Sequence, residues 1–376
     1  MPLPYLVGAG ALWTSAAELF FLLSGLTFGV VRMQLVVTDF KSAIAKSWRR
    51  AGFLYLLNLV VVLLSVLLAL IFTQKHWTND VIGSLPTTSG IRLLGQILSF
   101  SYTIGWANFL MYYSVYLLFA PFILLALKSR FWMIVPLASF GLYALNTDFP
   151  VHLLQNGIYA SFLTWQLYFV IGLVLARFRV PIIGWFYSLP YKKLVLASRT
   201  ILWTSGVILA MNCLLAFNVF PLVNRLALSG WLPLKAAAAY AGLQHQKHWL
   251  DGLLMNGRTG LLRPLATLLF LTAAYLLYQK YNQIILRRTG SIINAFGRDT
   301  LWIFVAQALC IPLLAALPLP HRLFYNLLLS SLLLISMWTL TKRRKLALAL
   351  RSYGLEMKEA FYEAKHSAMY RQEDRA

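Results

Sequence analysis

Long apolar runs without a charge are the feature that most limits how this chain can fold. One of them, Phe53–Phe72, reads FLYLLNLVVVLLSVLLALIF, and a membrane-spanning helix needs roughly 20 such residues. Of the 376 residues, 60% are hydrophobic and 12% are charged, which is more apolar surface than a soluble globule of this length can bury. The sequence therefore predicts an all-α, polytopic membrane protein surrounded by the lipid bilayer, and it excludes a soluble enzyme.

The apolar runs predict about nine transmembrane helices in one bundle. The predicted spans are Ala9–Val31, Gly52–Phe72, Trp106–Leu127, Trp132–Leu145, Phe162–Ala176, Thr200–Val223, Pro264–Tyr278, Leu301–Leu317 and Leu323–Thr341. Residues 1–341 are predicted to form a single membrane domain, and residues 342–376 a basic, mixed-charge cytoplasmic tail. The amphipathic stretch Ile91–Ser101 is predicted to lie at the membrane interface.

Basic residues alternate between the two sides of the predicted spans. Of the 33 Lys and Arg residues, 25 fall in one set of loops and 8 in the alternate set. Because cytoplasmic loops carry the excess of Lys and Arg, the richer side and the C-terminus are predicted to be cytoplasmic, and the N-terminus to lie outside. A formal charge of +22 would suggest nucleic-acid binding in a soluble protein. Here the charges separate apolar runs, so no nucleic-acid partner is predicted.

Glu18 is the only one of the eleven acidic residues that falls inside a predicted span. An ionisable group at membrane depth is costly, so it is a candidate for function. Glu18 shares a helical face with Gly25 and Gly29, whose small-xxx-small spacing lets another helix approach closely. We therefore expect Glu18 to face a helix interface rather than lipid. Two interpretations stay open: a catalytic carboxyl group, or a carboxyl group that only ties helices together.

Aromatic and amide side chains near the outer side are candidates for sugar binding, because rings stack on pyranoses and amides bond to hydroxyls. The candidates are Trp165, Gln166 and Asn108. Aromatic residues also form interfacial belts in membrane proteins, which is the alternative interpretation.

Three arginines on the predicted cytoplasmic side, Arg32, Arg49 and Arg50, could hold the phosphates of an acyl-CoA. Positive-inside anchoring is the alternative explanation. None of the six histidines lies in the middle of a span, and Cys213 and Cys310 have no metal-ligand spacing. The sequence predicts no metal site and no bound cofactor.

Four segments together resemble a known family. They are TSAAELFFLLSGLTFGVV at Thr14–Val31, KSAIAKSWRRAGFLYLLNL at Lys41–Leu59, FLTWQLYFVIGLVLARFR at Phe162–Arg179 and FGRDTLWIFVAQAL at Phe296–Leu309. The first is similar to the signature of OpgC-type membrane acyltransferases, with small residues, a Glu, aromatics and LSG. The others resemble later segments of that family in the same order. OpgC-type proteins belong to the broader acyltransferase 3 group.

The resemblance implies O-acyl transfer from a cytoplasmic thioester donor, acyl-CoA, to the hydroxyl of an extracytoplasmic glycan. It points to succinyl as the acyl group, to the bacterial inner membrane as the location, and to Glu18 as a proton partner or as the residue that orients a base. The family pattern begins with one more helix, which carries a histidine, and no segment of this sequence resembles it, so we expect either an earlier start or a shortened homologue. The alternative function is therefore non-catalytic: a glycan or lipid translocation subunit, or a degenerate acyltransferase that acts as a partner protein.

Overall fold

The computed structural model describes six continuous segments: residues 16–71, 90–99, 108–148, 157–216, 225–231 and 262–298. It also describes isolated positions at 102 and 260, within 233–242 and within 301–339. These residues are overwhelmingly helical and include no β-strand, which confirms the predicted all-α class. The helices are α1 (Ala16–Thr38), α2 (Phe40–Ile71), α3 (Gly90–Leu98), α4 (Asn108–Lys128), α5 (Ile134–Asp148), α6 (Gly157–Ser188), α7 (Tyr191–Ala216) and α8 (Arg263–Arg298).

Five of these helices, α1, α2, α4, α6 and α7, are long and apolar enough to cross a membrane, and α5 is a shorter apolar helix. The predicted span Pro264–Tyr278 falls within α8, whose apolar half is followed at once by polar residues. The predicted spans Leu301–Leu317 and Leu323–Thr341 lie largely outside the described residues. The chain is thus a helical membrane protein, and the number nine stays a prediction.

Helices α1 and α6 pack most closely, because glycines remove the side chains between them. A Cβ atom at Gly25 would clash with the carbonyl oxygen of Phe169, and one at Gly172 would clash with the backbone of α1. A Cβ at Gly29 would stand 2.5 Å from the Cβ of Ala176. The small-xxx-small spacing read from the sequence therefore marks a backbone-to-backbone contact.

Helix α2 begins well before the predicted span and pairs with the middle of α4. Ser47 donates a hydrogen bond to the carbonyl of Leu117 at 2.5 Å, and Ser114 donates one to the carbonyl of Ala51 at 2.7 Å. The basic stretch predicted as a cytoplasmic loop is therefore helical and lies beside α4. Its Lys, Arg and Ala residues have high helix propensity, so the helix extends beyond the apolar run.

A single residue, Asp39, separates α1 from α2. Its Oδ1 accepts a hydrogen bond from the backbone N–H of Ser42 at 3.0 Å, which is the N-cap arrangement of a helix start. Hydrogen bonds from the side chain and backbone of Ser42 lower the pKa of the exposed Asp39 carboxyl group.

The chain divides into two compact units, Met1–Asn282 and Gln283–Ala376, and the boundary falls inside α8. All residues of the candidate site belong to the first unit. The predicted division between 1–341 and 342–376 stays a prediction, because residues 342–376 lie outside the described part of the chain.

Candidate functional site

The candidate site centres on an ion pair between Glu18 and Arg263. The Nη2 atom of Arg263 lies 2.5 Å from Oε1 of Glu18, whose side chain is 2% exposed, whereas that of Arg263 is 15% exposed. Glu18 lies in the first turn of α1 and Arg263 is the first residue of α8. Glu18 therefore faces a helix interface, as its position on the glycine face predicts. A buried carboxylate is tolerable there because its charge is neutralised at contact distance.

Two tyrosines complete this polar group. The hydroxyl of the fully buried Tyr143, on α5, donates a hydrogen bond to the carbonyl of Gly260 at 2.8 Å. Tyr168, on α6, is also fully buried, and its ring lies 6.5 Å from that of Tyr143, edge to face. We call Glu18, Arg263, Tyr143 and Tyr168 the Glu18 cluster.

The buried Nε of Arg263 has no hydrogen-bond partner among the described residues. The buried hydroxyl of Tyr168 interacts with the hydroxyl of Tyr143. Tyr168 is close enough to both Glu18 and Arg263 to interact with them electrostatically. The cluster therefore combines a carboxylate with one unused buried N–H donor, and a buried donor without a partner is costly.

An aromatic cluster lies next to the Glu18 cluster along α1. Its members are Phe20, Phe21, Phe109, Tyr112, Tyr113, Tyr116, Phe162, Trp165 and Phe169. Trp165 stacks on Phe21 with centroids 5.3 Å apart and meets the edge of Tyr112 at 5.3 Å. The half-buried Trp165 is therefore part of a helix-packing cluster beside the carboxylate.

The other two sugar-binding candidates differ in how their amides are used. Gln166 accepts a hydrogen bond from the Ser139 hydroxyl at 2.8 Å and donates one to the Ser139 carbonyl at 2.8 Å. Its amide thus joins α6 to α5. The Oδ1 of Asn108, at the start of α4, is buried and has no partner among the described residues. Asn108 precedes Phe109, which contacts both Phe20 and Phe21.

The three candidate arginines lie on two helices. Arg32 is half-buried on α1, and Arg49 and Arg50 are exposed on α2. The guanidinium of Arg50 lies 5.7 Å from the ring centroid of Tyr113. The ring of Tyr113 in turn lies edge to face with the ring of Phe20, with centroids 5.5 Å apart. Phe20 is two residues after Glu18 in the sequence. Arg50 therefore contacts the aromatic cluster, which also includes Phe20 near Glu18 on α1.

The sequence did not single out Arg263, Tyr143 or Tyr168. In the sequence Arg263 is one of the basic residues between spans. Both tyrosines lie in apolar runs, where an interfacial aromatic belt or the protein core is the usual explanation for a tyrosine. One local signal existed: Arg263 stands immediately before Pro264 at the start of an apolar run, and proline favours the first turn of a helix. Among the described residues, no group of three His, Cys, Asp or Glu side chains could hold a metal ion.

The comparisons with known proteins give one match. The family described as OpgC protein matches residues 12–346, which is most of the chain. No curated protein and no solved structure matches. The matched region includes every residue of the Glu18 cluster, both tyrosines of α5 and α6 among them.

Proposed function

This chain belongs to the OpgC family, an acyltransferase-like group of membrane proteins, and we propose that it is a membrane O-acyltransferase. It moves an acyl group from a cytoplasmic acyl-CoA to a hydroxyl group of an extracytoplasmic glycan, and the acyl group to test first is succinyl. The end of the bundle that holds the Glu18 cluster is the extracytoplasmic end, because the charge alternation along the chain assigns α1 an outer N-terminus.

The observation that carries this proposal is the buried Glu18–Arg263 pair. A charged pair at membrane depth costs free energy that a pair of apolar residues would not, so a functional use is the default explanation. The carboxylate oxygens of Glu18 accept hydrogen bonds, and the guanidinium of Arg263 supplies the counter-charge beside them. Glu18 therefore accepts the hydrogen bond of the acceptor hydroxyl and assists the loss of its proton as the new C–O bond forms. The C–S bond of the thioester breaks in the same transfer, and the proton leaves with CoA as its free thiol.

The donor side of the reaction is assigned to Arg32, Arg49 and Arg50. Guanidinium groups suit phosphate, and Arg50 contacts the ring of Tyr113 in the aromatic cluster. A thioester held by these residues would present its acyl group to the aromatic cluster. Trp165 and the unpartnered amide oxygen of Asn108 are the proposed contacts for the glycan.

Transfer can be tested with the purified chain in lipid vesicles, with succinyl-CoA on one side and a glucan oligosaccharide on the other. Ester formation is followed by mass spectrometry. Glu18→Gln alone would leave Arg263 unpaired, so the informative variant is Glu18→Gln combined with Arg263→Gln. We expect this double variant to fold and to lose roughly 100-fold or more of the transfer rate. Wild-type vesicles that form no ester in either orientation would refute the proposal.

One observation also favours a second function: the Glu18–Arg263 ion pair could serve only to hold α1 to α8. In that case the chain is a non-catalytic translocation subunit or a partner protein. The double variant would then behave like wild type in any glycan-dependent assay. Binding of the oligosaccharide without ester formation would support this second function over the first.

A further inference from the structure

An apolar groove lies between the second half of α6 and the turn that joins α4 to α5. The side chains that line it from α6 include four at helical spacing on one face, Val174, Phe178, Ile182 and Trp185. Trp132 lines the groove from the turn, and the volume of the groove is about 360 Å³. All of the lining side chains are apolar or aromatic, so the groove suits an apolar group.

The groove lies at the opposite end of α1 from Glu18. The backbone of α6 at Phe169 approaches Gly25, and Ala176 approaches Gly29, one turn further along both helices. Helices α1 and α6 therefore run in the same direction. Glu18 is in the first turn of α1, whereas the groove lies at and beyond the level of Gly29. The groove is thus separate from the Glu18 cluster, on the side that the charge alternation predicts to be cytoplasmic.

The two segments that form the groove carry four basic residues: Lys128, Arg130, Arg177 and Arg179. The guanidinium of Arg177 lies 5.4 Å from the ring centroid of Trp132 and 5.1 Å from that of Phe178. These two rings line the groove and meet edge to face, with centroids 4.6 Å apart. Within the described part of the chain, none of the four basic residues has an ion-pair partner. The groove therefore has uncompensated positive charge beside it.

Arg177 is the basic residue for which a counter-charge matters most. Its side chain is half-buried, and its Nη1 atom is buried and has no hydrogen-bond partner among the residues that the structure describes. The rings of Trp132 and Phe178 attract a cation but do not neutralise its charge. A positive charge that is partly removed from water without a counter-charge is costly, so an anion beside Arg177 would stabilise this arrangement.

We propose that the groove binds an anionic phospholipid of the bilayer, with part of an acyl chain in the groove and the phosphate beside Arg177. Such a lipid joins a phosphate to long apolar chains, which is the combination that an apolar groove beside basic residues recognises. Inorganic phosphate has no apolar part, and the short acyl group of succinyl-CoA does not fill an apolar groove. This inference is independent of the proposed acyl transfer.

The experiment compares phosphatidylglycerol, which is anionic, with phosphatidylcholine of the same acyl chains. Lipid retained by the purified full-length protein in detergent is measured by native mass spectrometry, and the Kd is taken from the rise in Tm with lipid concentration. Wild type should bind phosphatidylglycerol more tightly. Arg177→Gln should weaken that binding roughly 10-fold. The control Arg199→Gln removes an exposed arginine of α7 and should leave the Kd unchanged.

A second pair of variants tests the apolar part of the site. Ile182→Trp places a larger side chain in the groove, whereas Ile183→Trp adds the same side chain at an exposed neighbour that does not line it. Because both isoleucines are exposed, both variants should keep the Tm that wild type has in phosphatidylcholine. Only Ile182→Trp should lose the additional stabilisation by phosphatidylglycerol.

Four results would overturn the inference. The first is equal binding of the two lipids by wild type, and the second is an equal loss in Arg177→Gln and Arg199→Gln. The third is an equal effect of Ile182→Trp and Ile183→Trp. The fourth is displacement of phosphatidylglycerol by inorganic phosphate or by succinyl-CoA, which would assign the basic residues to a phosphate site or to the acyl donor.

Discussion

Removing one partner of the Glu18–Arg263 pair should destabilise the protein more than removing both. Two unit charges about 4 Å apart attract by about 4 kcal/mol at an effective dielectric constant of about 20. Glu18→Gln forfeits that attraction and leaves Arg263 without a counter-charge in a site that is 15% exposed. Breaking a buried pair from one side costs about 3–5 kcal/mol, and the partial exposure of Arg263 places this case near 3 kcal/mol.

The double variant Glu18→Gln with Arg263→Gln leaves no uncompensated charge, so its cost should be about 1 kcal/mol or less. The assay is thermal unfolding of the four proteins of the cycle in one detergent. Each single variant should lose on the order of 5–10 °C in Tm, and the double variant should recover most of it. If the losses of the single variants simply add in the double variant, the two side chains are not coupled and the reasoning about the pair is wrong.

Four further results are expected. Gly25→Ala should sharply lower the Tm, because its Cβ would strike the backbone of α6, whereas Gly206→Ala, with open space around it, should be neutral or slightly stabilising. Gln166→Leu should cost about 1–3 kcal/mol through its two lost hydrogen bonds and should lower the Tm. The contribution of Asp39 is present above its ordinary pKa of 3.8 and is lost as pH falls through its lower folded-state pKa, so Asp39→Ala should flatten the acid limb of a Tm-against-pH profile. A reporter within Gly242–Gly257 should be extracytoplasmic and one at the C-terminus cytoplasmic; the reverse result would overturn the assignment of the two sides.

The sequence could predict the class of the fold because the relevant signals are local. Apolar runs, the alternation of basic loops and the shared face of Glu18, Gly25 and Gly29 can all be recognised within a few turns of helix. The close approach of α1 to another helix followed from that face. The identity of the other helix could not be predicted, because α6 lies far away in the sequence and the glycine spacing does not indicate which helix approaches.

The candidate site was predictable only in part, for the same reason. Glu18 can be recognised in the sequence as an acidic residue within an apolar run. The importance of Arg263 follows only from its tertiary contact with Glu18. Tyr143 and Tyr168 look like ordinary apolar-span tyrosines until their burial is known. Gln166 illustrates the opposite case, since an amide that could bind sugar is engaged with Ser139.

The two residues of the Glu18–Arg263 pair are synthesised at different times, so the pair can form only late in translation. Glu18 leaves the ribosome ~245 residues before Arg263, which at roughly 5–20 residues per second is a delay of about 12–50 s. During that time Arg263 is not yet available to pair with the carboxyl group of α1, so we expect this end of α1 to be held near the membrane surface. Seating α1 fully in the bundle is therefore a late event in assembly. Ribosome-bound chains that stop before Arg263 should expose α1 to protease or to the insertion machinery.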